Sequence, residues 1–211
     1  MTRIKICGIT NLNDALTAIE AGADALGFVF VPHTPRYIEA QDAATIINLL
    51  PPFITTVGLF VNEGLAKIQA IADGCHLNVI QLHGGESPQF CDTLNRRSIK
   101  AFRVKNQASL SHLPNYHVSA YLLDTYVKGK LGGTGEVFDW HLAVSAKQYG
   151  PIILAGGLNP DNVSYAVRQV HPYGVDVSSG VEAKPGRKDP AKVKAFIHAV
   201  REVDREWEQL S

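Results

Sequence analysis

Short runs of apolar, mostly β-branched residues alternate along this chain with segments in which apolar residues recur every three to four positions. Most of the short runs show no alternation of apolar and polar residues, which is typical of parallel strands buried on both faces. The segments with the longer period are typical of helices that cover one apolar face. The pattern predicts eight strands, over residues 3–7, 25–31, 55–60, 78–82, 98–104, 120–124, 152–155 and 175–178.

The helix signals are clearest in three of the intervening segments. Apolar residues with the spacing i, i+3, i+4, i+7 occur in residues 12–19, 163–170 and 193–200. A capping residue followed by proline, a common helix start, predicts three helix N-termini, at Ser87-Pro88, Asn159-Pro160 and Asp189-Pro190. Gly22 and Gly150 are predicted to lie just past the end of a helix.

The repeated strand–helix order predicts an α/β fold. It allows either a closed (β/α)8 barrel or an open, doubly wound sheet, and about 26 residues per unit suit the barrel, which we favour. The segment 106–119 has only a vague helical pattern and includes Pro114, so we expect the helix after strand 5 to be short or absent. No linker divides the chain, which predicts one (β/α)8-barrel catalytic domain over residues 1–211.

Composition narrows the choice of partners and compartment. Hydrophobic residues make up 45% of the 211 residues, charged residues make up 19%, and the formal net charge is zero. This balance is typical of a soluble globular protein and gives no electrostatic reason to bind nucleic acid or a membrane. The three cysteines, an odd number, show no metal-ligand spacing, and no signal peptide or membrane-length apolar run is present. We therefore expect a cytoplasmic protein without disulfides or bound zinc.

Reactive side chains lie at the end of, or within, three of the predicted strands. In a barrel of this type the catalytic residues lie at the carboxyl ends of the strands. Cys7 ends the first strand, Asp124 ends the sixth and Asp176 lies within the eighth. Cys7 is the candidate base or nucleophile, although a free cysteine is also a common buried residue. Asp124 is the candidate general acid, and a purely structural aspartate is the alternative.

Glycine and serine clusters at consecutive strand ends suggest a phosphate site. Glycines let backbone N–H groups approach an anion closely, and barrels commonly bind phosphate with the loops after strands 7 and 8. No P-loop, dinucleotide fingerprint or metal-ligand set is present in the sequence. The candidate phosphate-binding residues are Gly133, Gly156, Gly157, Ser178, Ser179 and Gly180.

Two further polar residues follow strands 2 and 4. Arg36 has a planar guanidinium that suits a bidentate carboxylate, so it is a candidate substrate clamp, with a solvated surface arginine as the alternative. His83 ends the fourth strand and could contact a substrate or merely finish the strand. We assign it no catalytic role.

Taken together, eight motifs resemble phosphoribosylanthranilate isomerases, and they occur in that family's order over nearly the whole chain. The set is far more specific than any one motif. The motifs are Lys5-Ile6-Cys7-Gly8-Ile9-Thr10, Gly27-Phe28-Val29-Phe30, Pro35-Arg36-Tyr37, Gln81-Leu82-His83-Gly84, Leu122-Leu123-Asp124, Gly132-Gly133-Thr134-Gly135, Leu154-Ala155-Gly156-Gly157-Leu158 and Asp176-Val177-Ser178-Ser179-Gly180-Val181-Glu182.

The resemblance implies an Amadori rearrangement of N-(5-phosphoribosyl)anthranilate in tryptophan biosynthesis. It implies that Asp124 protonates the ring oxygen, that the Cys7 thiolate removes the proton from the adjacent sugar carbon, and that Arg36 holds the anthranilate carboxylate. Asp176 would contact sugar hydroxyls or the amine. It implies no metal and no cofactor, and a phosphorylated small molecule as the partner. Monomer and homodimer both remain open.

Two other interpretations stay open on the sequence. One is another phosphate-binding barrel, such as an isomerase of histidine biosynthesis, which would usually carry aspartate in place of Cys7. The other is a catalytically silent barrel that binds a phosphorylated metabolite. The silent barrel predicts binding without turnover, and no effect of Cys7→Ser on any rate.

Overall fold

Eight parallel strands form a closed barrel in the computed structural model, which describes residues 1–125 and 140–210. The strands follow one another around the barrel in chain order, and the first pairs with the eighth. They are β1 (Arg3–Cys7), β2 (Ala25–Val29), β3 (Thr55–Phe60), β4 (Val79–Leu82), β5 (Arg97–Val104), β6 (Ala120–Thr125), β7 (Ile152–Leu154) and β8 (Gly174–Val177). The predicted barrel is confirmed, with strand bounds that differ by a residue or two.

Helices surround the barrel in the described parts of the chain. They are α1 (Leu12–Ala21), α2 (Ala40–Ile47), α3 (Leu65–Gly74), α4 (Pro88–Asp92), α5 (Trp140–Ala146), α6 (Val163–Val170) and α7 (Pro190–Leu210). A two-stranded antiparallel hairpin, β9 (Glu182–Lys184) and β10 (Arg187–Lys188), is inserted between β8 and α7. None of these helices combines the length and the apolar character that crossing a membrane would require.

Buried apolar side chains form two separate hydrophobic clusters, one on each side of the barrel wall. The larger cluster lies between the strands and the helices and takes, for example, Ile4, Ile6 and Val175. A smaller cluster fills the barrel interior from β5, β6 and β7, with Ile99, Ala101, Ala120, Leu122, Ile153 and Ala155. Since side chains alternate across a strand, Lys5 and Cys7 of β1 and Asp176 of β8 also face the interior. One side of the interior is therefore apolar and the other carries charge.

The connection after β5 contains two short 3₁₀ helices, Gln107–Leu110 and Leu113–Asn115, in place of an α-helix. Asn106 caps the first: its side chain accepts a hydrogen bond from the Ser109 backbone N–H, and Ser109 Oγ accepts one from the Asn106 N–H. Pro114 has no N–H to continue a helical ladder. The prediction of a short or absent helix is confirmed.

The three predicted helix starts have different outcomes. Ser87 caps α4 through Phe90 N–H, and Asp189 caps α7 through the N–H groups of Ala191 and Lys192. The start predicted at Asn159-Pro160 is three residues early, since α6 begins at Val163. The Asn159 side chain accepts a hydrogen bond from Asp161 N–H, and the Asn159 N–H donates to Asn162 Oδ1, so Asn159 makes cap-type hydrogen bonds in a turn that leads into α6.

The β9–β10 hairpin packs against the loops that follow β1 and β2. Thr10 Oγ1 donates a 2.6 Å hydrogen bond to the carbonyl oxygen of Gly186 at the hairpin tip. The backbone N–H of Lys188 donates to Asp14 at the start of α1. The hairpin thereby brings Glu182 and Lys188 to the carboxyl end of the barrel, beside Cys7 and Arg36.

Candidate active site

A cleft opens at the carboxyl end of the barrel, among the loops that follow the strands. The predicted site residues Cys7, Arg36, Asp124, Asp176, Gly156, Gly157, Ser178 and Ser179 all line it, together with Gln81, His83 and the apolar side chains of Val29, Leu59 and Leu158. Gly180 does not line the cleft, and Gly133 lies outside the described residues. The fold therefore gathers residues from strands far apart in sequence at one mouth.

Cys7 lies at the end of β1 with its side chain inside the barrel, and it is 4% exposed. Burial raises the pKa of its thiol above the ordinary value, because the apolar surroundings disfavour the thiolate. The nearby ammonium of Lys5 opposes that shift. Lys5 in turn donates a 2.8 Å hydrogen bond to Asp176 Oδ1. The candidate base therefore lies beside a buried ion pair.

Asp124 is 4% exposed at the end of β6 and lies next to His83. His83 Nε2 and Asp124 Oδ2 are 3.2 Å apart, and His83 Nδ1 lies 3.2 Å from the amide nitrogen of Gln81. An amide nitrogen only donates, so this arrangement makes Nδ1 the acceptor and leaves the imidazole proton on Nε2, directed at Asp124. His83 and Gln81 thus fix one oxygen of the candidate acid.

Arg36 is held at the mouth by Glu182 of the hairpin. Its Nε and Nη2 donate to the two carboxylate oxygens of Glu182 at 2.8 and 2.7 Å. Lys188 Nζ also donates to Glu182, at 3.0 Å. Burial opposes ionisation of Glu182, but Arg36 and Lys188 outweigh it and hold its pKa below the ordinary value. One edge of the guanidinium is thus anchored, while Arg36 still lines the cleft.

The loops after β7 and β8 form another wall of the cleft. Gly156 and Gly157 both have positive φ, at 77° and 71°, which favours glycine and turns the chain sharply after β7. The Asn162 side chain braces this turn by donating to the Gly157 carbonyl oxygen at 2.9 Å. Ser178 and Ser179 come from the adjacent loop, and the buried Ser178 Oγ has no partner among the described residues. This wall has donors available for an anion.

Gly180 has a packing role that the sequence did not reveal. A Cβ at this position would lie 1.9 Å from the carbonyl oxygen of Leu158, so only glycine lets the loop after β8 pass the loop after β7 this closely. Gly180 therefore sets the relative position of the two candidate phosphate loops.

Sequence reasoning missed several side chains that support the site. Lys5, Gln81, Glu182 and Lys188 were not singled out, and His83 was noted without a role. A signal existed for Lys5, because a lysine two residues before Cys7 on a buried strand must share its face. None existed for Glu182, whose partner Arg36 lies 146 residues away in the chain.

The arrangement suits acid–base chemistry on a small anionic molecule. A thiol and a carboxyl, both nearly buried, reach the same cleft from β1 and β6. Arg36 supplies a cation at one wall, and two glycine- and serine-containing loops supply anion-binding groups at another. Within residues 1–125 and 140–210, no group of three or more His, Cys, Asp or Glu side chains is placed to hold a metal ion.

Comparison with known proteins identifies close relatives. Residues 4–199 match the family model described as N-(5'phosphoribosyl)anthranilate (PRA) isomerase. An N-(5'-phosphoribosyl)anthranilate isomerase from Geotalea uraniireducens is 61% identical over 197 residues, covering 93% of this chain and 97% of the relative. The crystal structure of phosphoribosyl anthranilate isomerase from Thermotoga maritima has a TM-score of 0.91 at 46% identity, covering 96% of this chain and all of that one.

Two further solved structures bear on ligand and assembly. A phosphoribosyl anthranilate isomerase in complex with reduced 1-(o-carboxyphenylamino)-1-deoxyribulose 5-phosphate has a TM-score of 0.87 at 44% identity. A structure of monomers generated from the dimeric Thermotoga maritima enzyme has a TM-score of 0.87 at 43% identity. Each covers 96% of this chain and all of the other.

Proposed function

This chain belongs to the N-(5'-phosphoribosyl)anthranilate isomerase family, and we propose that it uses Cys7 as the base and Asp124 as the acid of that family's reaction. The reaction is the Amadori rearrangement of N-(5-phosphoribosyl)anthranilate to 1-(2-carboxyphenylamino)-1-deoxyribulose 5-phosphate in tryptophan biosynthesis. The observation that carries the assignment is that Cys7 and Asp124 reach one cleft from two different strands. We further propose that residues 1–211 act as one catalytic domain, in the cytoplasm.

The first step opens the sugar ring. The Asp124 carboxyl, in its acid form, donates its proton to the furanose ring oxygen, and the bond between that oxygen and C1 breaks. The anthranilate nitrogen donates its lone pair to C1, which gives a protonated Schiff base. His83, 3.2 Å from Asp124 Oδ2, holds the resulting carboxylate by hydrogen bonding.

The second step removes a proton from carbon. The positive Schiff base acidifies the proton on C2, and the Cys7 thiolate takes it, leaving an enolamine that tautomerises to the ketone. The substrate's own nitrogen accepts the electrons, so these steps need no redox partner. Asp124 has lost one proton and Cys7 has gained one, so a proton transfer between them through solvent restores the enzyme.

Substrate binding follows from the walls of the cleft. The guanidinium edge of Arg36 that Glu182 leaves open is proposed to bind the anthranilate carboxylate. Gly156, Gly157, Ser178 and Ser179, which line the cleft, are proposed to bind the phosphate. The proposed phosphate-binding set also includes Gly180, which does not line the cleft but lets the two loops approach each other, and Gly133, which lies outside the described residues. Asp176 is proposed to contact the sugar hydroxyls or the amine, since its carboxylate lines the cleft above Lys5.

The pH dependence of Cys7 alkylation tests whether this thiol can supply the base. The pKa of Cys7 lies above its ordinary value of about 8.5, so the thiolate fraction falls with each unit of acidification below it. We expect the rate of Cys7 alkylation by iodoacetamide, which needs the thiolate and does not depend on Asp124, to rise about tenfold per pH unit between about pH 7 and 8.5. Mass spectrometry of the digested protein measures this rate at Cys7.

A matched thiol variant assigns the alkaline rise to one cysteine. Cys91 is also buried, but it lies outside the cleft, so Cys91→Ser should keep the same profile. A Cys7 alkylation rate that does not change between about pH 7 and 8.5 would contradict a raised pKa of this thiol.

We propose that the enzyme is a homodimer formed through the amino end of the barrel. Phe53, just before β3, is 96% exposed, and Tyr173, just before β8, is 55% exposed. Both line one cavity at this end, and Leu49, which is 60% exposed, precedes the Phe53 loop. An apolar patch of this kind on a surface is typical of a protein interface.

Phe53→Ser is expected to convert the dimer to a monomer, because it removes the most exposed apolar side chain of the patch. Light scattering coupled to gel filtration would show the mass fall by half, while turnover persists because the cleft lies at the other end of the barrel. Val144→Ser, at a 43% exposed position on α5, should leave the mass unchanged. A wild-type protein that is monomeric at all concentrations would overturn the proposal.

A further inference from the structure

A buried ion pair lies under Cys7 inside the barrel. Lys5 Nζ and Asp176 Oδ1 are 2.8 Å apart, and the two side chains are only 6% and 9% exposed. They belong to neighbouring strands, since Lys5 and Asp176 are paired in the β1–β8 register. Burying two charges costs free energy that their attraction rarely repays, so a buried pair beside a reactive group suggests a function beyond stability.

Lys5 and Cys7 occupy the same small space. They are two residues apart on β1 and therefore face the same way. A Cβ at Gly27, on the adjacent strand β2, would lie 2.7 Å from Cys7 Sγ and 3.0 Å from Lys5 Cε, so these two atoms flank one point. The absence of a side chain at Gly27 leaves the room in which the thiol and the lysine meet. The ammonium interacts with the Cys7 sulfur as well as with Asp176.

The other charges around Cys7 are already committed to other partners. Lys188 of β10 and Arg36 of the loop after β2 both donate to Glu182. β2 itself presents Gly27 and Val29 to the interior, and β8 presents Asp176, an anion. Lys5 differs from these two cations because it lies on β1 itself, on the same face of the strand as Cys7.

We propose that Lys5 is a positioning residue for the base: its ammonium stabilises the Cys7 thiolate, and Asp176 holds the ammonium beneath the sulfur. The inference rests on the proposed role of Cys7 and deepens it. In a barrel interior with little water, a cation next to sulfur offsets the cost of burying a thiolate. Without Lys5, burial and repulsion from the Asp176 anion would together disfavour ionisation of the thiol.

The pH dependence of Cys7 alkylation tests this in the intact protein without substrate. Iodoacetamide reacts with the thiolate, and mass spectrometry of the digested protein identifies modification at Cys7. The alkylation rate rises with pH as the Cys7 thiol ionises, and we call this rise the alkaline limb. In Lys5→Met we expect the alkaline limb to move to higher pH by about one unit or more. At a fixed pH below the limb, Cys7 would then react about tenfold more slowly. Lys5→Arg keeps the cation and should bring the limb back toward its original position.

Two further variants make the inference falsifiable even where Lys5→Met folds poorly. Asp176→Asn keeps Lys5 but removes its counterion, so the limb should move down, opposite to Lys5→Met. Lys100→Met removes another buried lysine, which lies 3.1 Å from Glu86. The residues on either side of Lys100 in β5, Ile99 and Ala101, face the interior. Lys100 therefore faces away from the interior, and its removal should leave the limb in place.

The outcomes distinguish the positioning role of Lys5 from the role of Cys7 as the base. An unmoved limb in a folded Lys5→Met protein, or an upward shift in Asp176→Asn, would overturn the role of Lys5. The expected shifts, combined with near-normal turnover of Cys7→Ser, would leave Lys5 as the group that sets the thiol but would remove Cys7 as the base.

Discussion

Cys7→Ser is expected to lower kcat by about 10³-fold while KM changes little. A serine hydroxyl is a far weaker acid than a thiol, so it supplies almost no anion to remove the proton from C2. The side chain is close in size, and Cys7 is not among the residues proposed to hold the phosphate or the carboxylate, so binding should persist. Initial rates from the decay of anthranilate fluorescence, over a range of substrate concentrations, give both constants.

The control for this variant is again a buried cysteine outside the cleft. Cys91→Ser makes the same chemical change at a 3% exposed site, so it should keep kcat close to that of the wild type. Near-normal kcat in Cys7→Ser would rule out the thiol as the base. A rise in KM with unchanged kcat would instead place Cys7 among the binding groups.

Asp124→Asn is expected to abolish ring opening, with kcat reduced by about 10³-fold or more. The amide has the shape of the carboxyl, and its oxygen can still accept the hydrogen bond from His83 Nε2, but it cannot protonate the ring oxygen. The loss therefore reports the proton rather than the packing. The same fluorescence assay measures it, and circular dichroism establishes that the variant is folded.

Asp161→Asn provides the matched change at an exposed aspartate outside the cleft and should leave turnover intact. Rapid turnover in Asp124→Asn would mean that another group is the acid. His83, which also lines the cleft and lies 3.2 Å from Asp124, would then be the next residue to replace.

Each of the three principal side chains of the cleft has a separate polar neighbour. Lys5 lies beside Cys7, His83 contacts Asp124, and Glu182 anchors Arg36. Each partner comes from the barrel or from the hairpin packed on it. Holding reactive groups in place before the substrate arrives avoids the cost of reorganising them during the reaction. The precision of the site therefore depends on residues that need not touch the substrate.

The sequence by itself determined the succession of elements and the chemistry at the strand ends. Mostly apolar runs located all eight strands, because a strand buried on both faces needs little alternation. The weak pattern around Pro114 correctly predicted the missing helix after β5. Cys7, Asp124 and the glycine pair at 156–157, which share one cleft, were candidates because polar or flexible residues directly after apolar strands are local signals.

The tertiary structure alone decided which residues become partners. Lys5 and Asp176 are 171 positions apart, and they meet because β1 pairs with β8 in one register when the barrel closes. Arg36 meets Glu182 because the β9–β10 hairpin packs over the loops after β1 and β2. The local start of α6 was predicted three residues too early, because Asn159 makes its cap-type hydrogen bonds in a turn that precedes the helix. Side-chain periodicity is a property of one segment, whereas register and closure depend on the packing of all eight strands together.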